Sequence, residues 1–222
     1  MLSNYNMKII IFDTETTGLP KSKKASPSKT SLWPHVCQVS WLVFDDRDGT
    51  FYTKDYIVKL PDGVTIPEIC TKIHGITNKQ MLEEGVDINV VLKEFTHDWQ
   101  SCQMLVAHNL EFDNKILQAE YHRNSPINWL GRHRKIEYCT MLYGKEFANI
   151  QRQSKFHAGT YQKAPKLIEL HEKLFKNTPQ NLHNSLIDVV VCFRCFYKMV
   201  YDEDIIDTNP HFKQQYKQLC GI

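Results

Sequence analysis

The stretch Lys8-Ile9-Ile10-Ile11-Phe12-Asp13-Thr14-Glu15-Thr16-Thr17-Gly18 decides how this chain is read. Met7 and Ile9 to Phe12 form an apolar, β-branched run interrupted only by Lys8, and a Gly-Leu-Pro break follows at 18–20. A run of that length and composition is a strand, and one apolar on both sides belongs in the middle of a sheet. Side chains two apart on a strand point the same way, so Asp13 and Glu15 address one point in space. Two carboxylates so aimed repel unless a cation or a proton lies between them. The pair alone fits a solvated strand end equally well, so the rest of the chain has to decide.

The flanking sequence supplies a sheet for that strand. Residues 36–44 and 51–60 read as strands, and Asp45-Asp46-Arg47-Asp48-Gly49 between them is turn chemistry, which predicts a hairpin. In the second of these, Tyr52, Tyr56, Val58 and Leu60 alternate, as an outer strand does. Thr77 and Gln80 have capping-box spacing, which starts a helix at Asn78. Apolar residues at 88, 91, 92, 95 and 99 predict an amphipathic helix lying on the sheet. Met104-Leu105-Val106-Ala107 is a second short buried strand, and a helix opens after it and runs to about His122. Ile136–Leu142 reads as a last strand, 143–164 is polar and resists assignment, and helices follow over 166–175 and from about Asn184. The tail after residue 204 is weakly patterned. This order is an α/β layout with parallel and antiparallel strands in one sheet.

Composition narrows the class. The 222 residues, 42% hydrophobic and 11% aromatic, suffice for a globular core. A net charge of +2 says little about a polyanionic partner, so local clusters must carry that argument. Two exist: Lys21, Lys23, Lys24 and Lys29 in a polar loop expected to be exposed and mobile, and Arg132, Arg134 and Lys135 before the last strand. The first follows the acidic strand end and could reach a phosphate backbone or merely be solvated. No apolar run spans a membrane and no secretory leader is visible, so the chain is expected to be soluble and intracellular, cytoplasmic with the nucleus open. Seven scattered cysteines, mostly in apolar runs, read as reduced core residues, and Cys192-x-x-Cys195 lies inside a helical pattern.

Two further acids can join the first pair. Asp113 falls in the first turn of the helix after the second buried strand, and Asp188 falls in the last long helix, five residues after His183. Four carboxylates converging there could hold two hard divalent cations, magnesium or manganese, of the kind that activate water against a phosphodiester. A histidine in the loop before the helix could take the proton of that water. Each residue alone has a blander reading, as helix cap or surface side chain.

Asp13-Thr-Glu-Thr-Thr-Gly, His108-Asn-Leu-Glu-Phe-Asp113 and His183-Asn-Ser-Leu-Ile-Asp188 together resemble the three motifs of the DEDDh 3′–5′ exonucleases. That family is typified by the epsilon proofreading subunit of bacterial replicative polymerase, and the likeness spans about residues 7 to 200. The resemblance implies a ribonuclease-H-like fold, a five-stranded mixed sheet with helices on both faces. An exonuclease domain would then cover 1–203, with 204–222 as a tail. It implies metal ligands at Asp13, Glu15, Asp113 and Asp188, a general base at His183, and a terminal-nucleotide pocket shaped by Thr16, His74, Asn109 and Phe112. Phe112 is nearly as good a core residue. The implied partner is a nucleic-acid 3′ end, DNA ahead of RNA, with a DNA polymerase as a possible host. Trimming of RNA, or a non-catalytic scaffold docked to a polymerase, are the other readings. The filled catalytic positions speak against the scaffold.

Overall fold

The computed structural model describes residues 6–125, 127–132, 135–154 and 159–221. Strands β1 (Lys8–Thr16), β2 (Val36–Asp45) and β3 (Thr50–Ile57) are followed by helices α1 (Glu68–His74), α2 (Asn78–Glu84) and α3 (Ile88–Ser101). Then come β4 (Met104–Ala107), α4 (Leu110–Asn124), α5 (Trp129–Arg132), β5 (Ile136–Cys139) and α6 (Thr140–Ala148). The chain ends through a small hairpin, β6 (Gln151–Gln153) and β7 (Thr160–Gln162), and helices α7 (Leu167–Phe175), α8 (Ser185–Tyr201), α9 (Ile205–Thr208) and α10 (Pro210–Cys220).

The expected five-stranded mixed sheet is present, in the order β3-β2-β1-β4-β5. The pairs β1–β2 and β2–β3 are antiparallel, whereas β1–β4 and β4–β5 are parallel. β1 is central, and its alternation feeds two cores. Ile10 and Phe12 pack with Trp41, Phe95, Trp99 and Leu117 under α3 and α4. Ile9 and Ile11 pack with Leu42, Phe44, Val190 and Phe193 under α8, and with Phe212 and Tyr216 of α10. Each fully buried aliphatic or aromatic side chain of this kind contributes roughly 1.5–3 kcal/mol. The same parity carries forward to the strand end, so Asp13 and Glu15 lie on the α8 side and Thr14 on the α4 side.

Several local expectations need correction. The strand expected to reach Leu60 ends at Ile57, with Val58 in an isolated bridge to Val86. The strand expected over 136–142 ends at Cys139, because Thr140 begins α6. The unassigned stretch 143–164 holds most of α6 and the β6–β7 hairpin, apart from 155–158, which lie outside the described residues. The tail forms α9 and α10, and Phe212, Tyr216 and Cys220 of α10 are buried in the α8 core. Thr77 does cap α2, accepting from Gln80 N at 3.0 Å, but the Gln80 side chain goes to Glu84, so only half of the box forms.

The lysine loop is exposed but not loose. Its backbone folds into successive turns, Trp33 is buried and donates from its indole to Ser26 O, and Arg123 of α4 donates to the carbonyls of Thr30, Trp33 and Pro34. All seven cysteines are buried and free, and no described helix is long and apolar enough to cross a membrane.

Candidate active site

β1 and β4 run in parallel, so their carboxyl ends open on the same edge of the sheet, where ligands of open α/β folds bind. β1 delivers Asp13 and Glu15 there, and its register with β2 shifts between Glu15 and Thr16, an irregularity of the sort that re-aims side chains beside a site. α8 delivers Asp188 from one face. Asn184 starts that helix by accepting from the N–H groups of Leu186 and Ile187, and Ser185 ties it to β1 by donating to Asp13 O at 2.8 Å. α4 delivers Asp113 from the other face. Its Oδ1 accepts from Thr14 N at 3.2 Å and from Thr14 Oγ1 at 2.7 Å, across the strand end.

Carboxylate oxygens of Asp13, Glu15 and Asp188 all lie within 4.8 Å of one another, and Asp113 stands beside them. No lysine or arginine pairs with any of the four among the described residues. Burial, followed by the charges of Asp113, Asp188 and Glu15, pushes Asp13 well above the usual carboxylate range. Burial and the charges of Asp188 and Asp113 raise Glu15 to about 8. Asp113 and Asp188 are both raised to about 7, chiefly by burial. Removing so many carboxylates from water next to one another is unfavourable, and a multivalent cation reverses the sign. The donor set suits one: oxygens only, convergent and unpaired, the chemistry that hard divalent ions prefer.

His183 lies in the loop before α8, as its expected role requires. It is exposed and left-handed (φ 71°), and its backbone N–H points to both Asp188 oxygens at 3.3–3.4 Å. Beside the acids lies a cleft of about 460 Å³, lined by Thr14, Glu15, Thr16, Gly18, Leu19, Ile69, Cys70, Ile73, His74 and Phe112. Thr16, His74 and Phe112 therefore come together as expected. His74 is buried, accepts from Ile76 N at 3.1 Å, and is held below its ordinary pKa by burial. Asn109 is not in that cleft. It caps α4 in the left-handed region (φ 76°) and lines hollows on the far side of Phe112. One of these, about 600 Å³ between α4 and β5–α6, is larger than the cleft, but the carboxylate cluster does not line it. Chemistry rather than volume marks the site.

Thr14, Ser185 and the apolar wall of Leu19, Ile69 and Ile73 were not anticipated. Period-two alternation puts Thr14 opposite its two acidic neighbours, a signal present in the sequence. The wall is exposed apolar surface, Leu19 at 77% in the loop after β1 and Ile69 and Ile73 at 70% and 55% on the short α1, and carries no local signal.

A family model described as "RNase_T: Exonuclease" matches residues 10–196. The chain belongs to the RNase T exonuclease family. With its motifs and five-stranded sheet it is an exonuclease of the DEDDh 3′–5′ type. It is 24% identical over 219 residues to the DNA polymerase III subunit epsilon of Buchnera aphidicola subsp. Acyrthosiphon pisum (strain APS), covering 96% of this chain and 81% of that one. A solved structure of exonuclease I superposes with a TM-score of 0.66 at 16% identity, covering 94% of this chain and 42% of the other. A zinc-bound E. coli exonuclease I–single-stranded DNA complex gives 0.62 at 14%, again over 94% and 42%. At such identity the likeness is one of fold, and this exonuclease spans less than half the length of exonuclease I.

Proposed function

We propose that this exonuclease removes nucleoside 5′-monophosphates one at a time from the 3′ end of single-stranded or frayed DNA. The observation that carries the reading is the unpaired cluster of Asp13, Glu15 and Asp188, with Asp113 beside it, opening on an apolar-walled cleft. The single-stranded DNA held by E. coli exonuclease I and the polymerase III membership of the Buchnera relative favour DNA, and they make a replicative polymerase a reasonable host.

Asp13, Glu15, Asp188 and Asp113 would hold divalent cations, magnesium or manganese. Such ions supply Lewis-acid stabilisation of the charge that develops on a phosphodiester under attack. The remaining steps belong to the chain. Leu19, Ile69, Ile73 and Phe112 offer an apolar face to the terminal base and exclude water from it, while Thr16 and His74 orient the sugar and its 3′ hydroxyl. An imidazole nitrogen of His183 takes the proton of the attacking water. The exposed loop on which it lies lets it hand that proton to solvent.

The test is digestion of matched DNA and RNA oligonucleotides, each with an unpaired and a paired 3′ end, in magnesium and in manganese. Release of deoxynucleoside 5′-monophosphates from unpaired DNA ends, at least about ten times faster than from RNA, supports the reading. Equal or faster RNA trimming, or products bearing a 3′ phosphate, would overturn it.

A further inference from the structure

His171 of α7 is completely buried, and both of its ring nitrogens are engaged. Nδ1 lies 3.1 Å from Asn177 O, which can only accept, so Nδ1 carries the proton. Nε2 is therefore the acceptor. It receives the Tyr216 hydroxyl of α10 at 2.7 Å and Nη1 of Arg194 of α8 at 3.2 Å. Arg194 is itself fixed by two hydrogen bonds to Asp204, at 3.0 and 2.6 Å, and its guanidinium stacks 3.9 Å over the Phe175 ring. Burial and the neighbouring guanidinium push His171 down to about 4, in keeping with a neutral ring. One imidazole thus joins α7, α8, α10 and the start of the loop 176–184.

That loop carries His183 near its end, and α10 holds it at Gln180 and Asn181. The last carbonyls of a helix have no partner within it. Here Cys220 O accepts from Gln180 N at 3.1 Å, and Leu219 O takes the Asn181 side chain at 3.5 Å. Asn181 and His183 both adopt left-handed backbone, φ 60° and 71°, which a non-glycine residue keeps only when its surroundings over-determine it. α10 lies wholly beyond residue 196, where the match to the exonuclease family ends.

We propose that His171 is a positioning residue for His183: by donating to Asn177 O while Tyr216 and Arg194 hold its other nitrogen, it seats the loop against α10 so that His183 faces Asp188. The inference rests on the reading of His183 as the proton acceptor. None of the groups hydrogen-bonded to His171 belongs to the carboxylate cluster, so its influence passes either through the loop at Asn177 O or through Arg194 along α8, and the two amide variants below separate these routes.

Two amides separate the ring's functions. In His171→Asn the amide nitrogen can stand where Nδ1 stands and keep the bond to Asn177 O. In His171→Gln the amide reaches the Nε2 position and that bond is lost. Turnover of a single-stranded oligonucleotide in magnesium should fall about 10- to 100-fold in His171→Gln, the cost of a displaced catalytic group. KM should stay within about twofold, and His171→Asn should stay within about threefold of wild type in both. In a double-mutant cycle, His171→Gln should cost less than about a further twofold once His183→Ala is present. Additive losses in the cycle, or equal losses in both amide variants that track their melting temperatures, would overturn the proposal. His183→Ala alone, with His171 intact, checks the underlying reading separately, and full turnover in that variant would remove the base on which the proposal depends.

Discussion

The fold buries aspartates in two opposite ways. Asp98 of α3 is 2% exposed and accepts from Trp41 Nε1 at 2.8 Å, Lys54 Nζ at 2.9 Å and His97 Nδ1 at 3.1 Å. Burial raises its pKa, but those bonds outweigh burial and hold it below the ordinary range. Asp13, at the carboxyl end of β1, meets three other carboxylates and no lysine or arginine among the described residues, and burial and repulsion act together to raise it. In the first arrangement the buried charge is compensated, so that removing one partner is costly. The second costs stability, and on the proposed function it serves the chemistry. Asp98 is buried and Asp13 half-buried, and it is the sign of the neighbours that sets the two apart.

The difference predicts opposite phenotypes. Asp13→Asn and Asp188→Asn should each lower hydrolysis in magnesium to a thousandth or less, about 4 kcal/mol of lost transition-state stabilisation. Their metal-free melting temperatures should equal or exceed that of wild type. Asp98→Asn should instead cost about 2–3 kcal/mol of stability, because the buried Trp41 indole N–H and Lys54 lose a charged acceptor and Lys54 keeps only Glu94, while activity per folded molecule survives. Urea titration and initial rates on the same preparations decide it. An Asp13→Asn protein that stays fully active would dissolve the contrast.

His183 lies between these extremes, being close to the acids but exposed. Its replacement by alanine should reduce turnover by roughly 10²–10⁴-fold with a smaller change in KM, the range for a positioned proton acceptor. A flat rate between wild type and variant from pH 6 to 9 would exclude it from proton transfer.

Much of this was legible in the sequence, for reasons that can be named. Asp13 and Glu15 were found because a strand has a period of two, and Asp188 because α8 carries a long apolar stripe. Thr77 showed α2 through its cap. The misses share a different physics. Ile136–Leu142 is a short stretch of mixed polarity, which periodicity alone does not assign to strand or helix, and the chain changes from one to the other at Thr140. α10 buries few side chains in an otherwise polar helix, so its stripe is faint; Pro210 directly after the cap Asn209 was the better signal. The lysine loop looked mobile by composition, yet Arg123, about ninety residues away, anchors it, and no local pattern records a contact at that range. Asn109 has motif spacing, but its left-handed backbone turns it out of the cleft.

Protonation sharpens the contrast further. The folded-state pKa values of Glu15, Asp113 and Asp188 are raised to about 8, 7 and 7. Relative to the unfolded chain, whose carboxyls titrate near 4, such groups favour folding in acid and withdraw that support as pH rises through 7–8. In chelator, Asp188→Asn should therefore gain on wild type between pH 5 and 8, with melting temperature as the readout. Asp98 has the opposite sign: its support is present at neutral pH and drains as the pH falls below its ordinary value. Magnesium should raise the wild-type melting temperature more at pH 8 than at pH 5, because the ion competes with protons for the acids. A parallel pH response of the two variants would break the comparison.

The smallest effect expected concerns the two basic stretches, which differ as the aspartates do. Lys135 is spent on the fold: its ammonium lies 4.5 Å over the Trp99 ring and donates to Cys102 O, level with the amino end of β4 and so one strand length from Asp13. Arg134 lies outside the described residues. Lys21, Lys23, Lys24 and Lys29 are exposed, and their ammonium groups make no ion pair or hydrogen bond among the described residues. Lys23 lines a hollow with Asn109 and Phe112, which places that loop on the active-site edge. Uncommitted cations there can follow a phosphate backbone, giving sequence-independent affinity that weakens with salt at a slope of about −0.7 per phosphate on single strands. Changing the four lysines to glutamine should lower affinity for a long oligonucleotide and flatten its salt dependence, by at most about three in that slope. Cleavage of a dinucleotide, which has a single phosphodiester to offer, should change far less. Lys135→Gln should lower the melting temperature and leave the salt slope as it was. Equal loss on dinucleotide and long strand would mean that the loop, tied as it is to α4 through Arg123, supports Asp113 rather than the nucleic acid. Unchanged binding of both would make it a solvated surface, held rigid for the sake of the helix it touches.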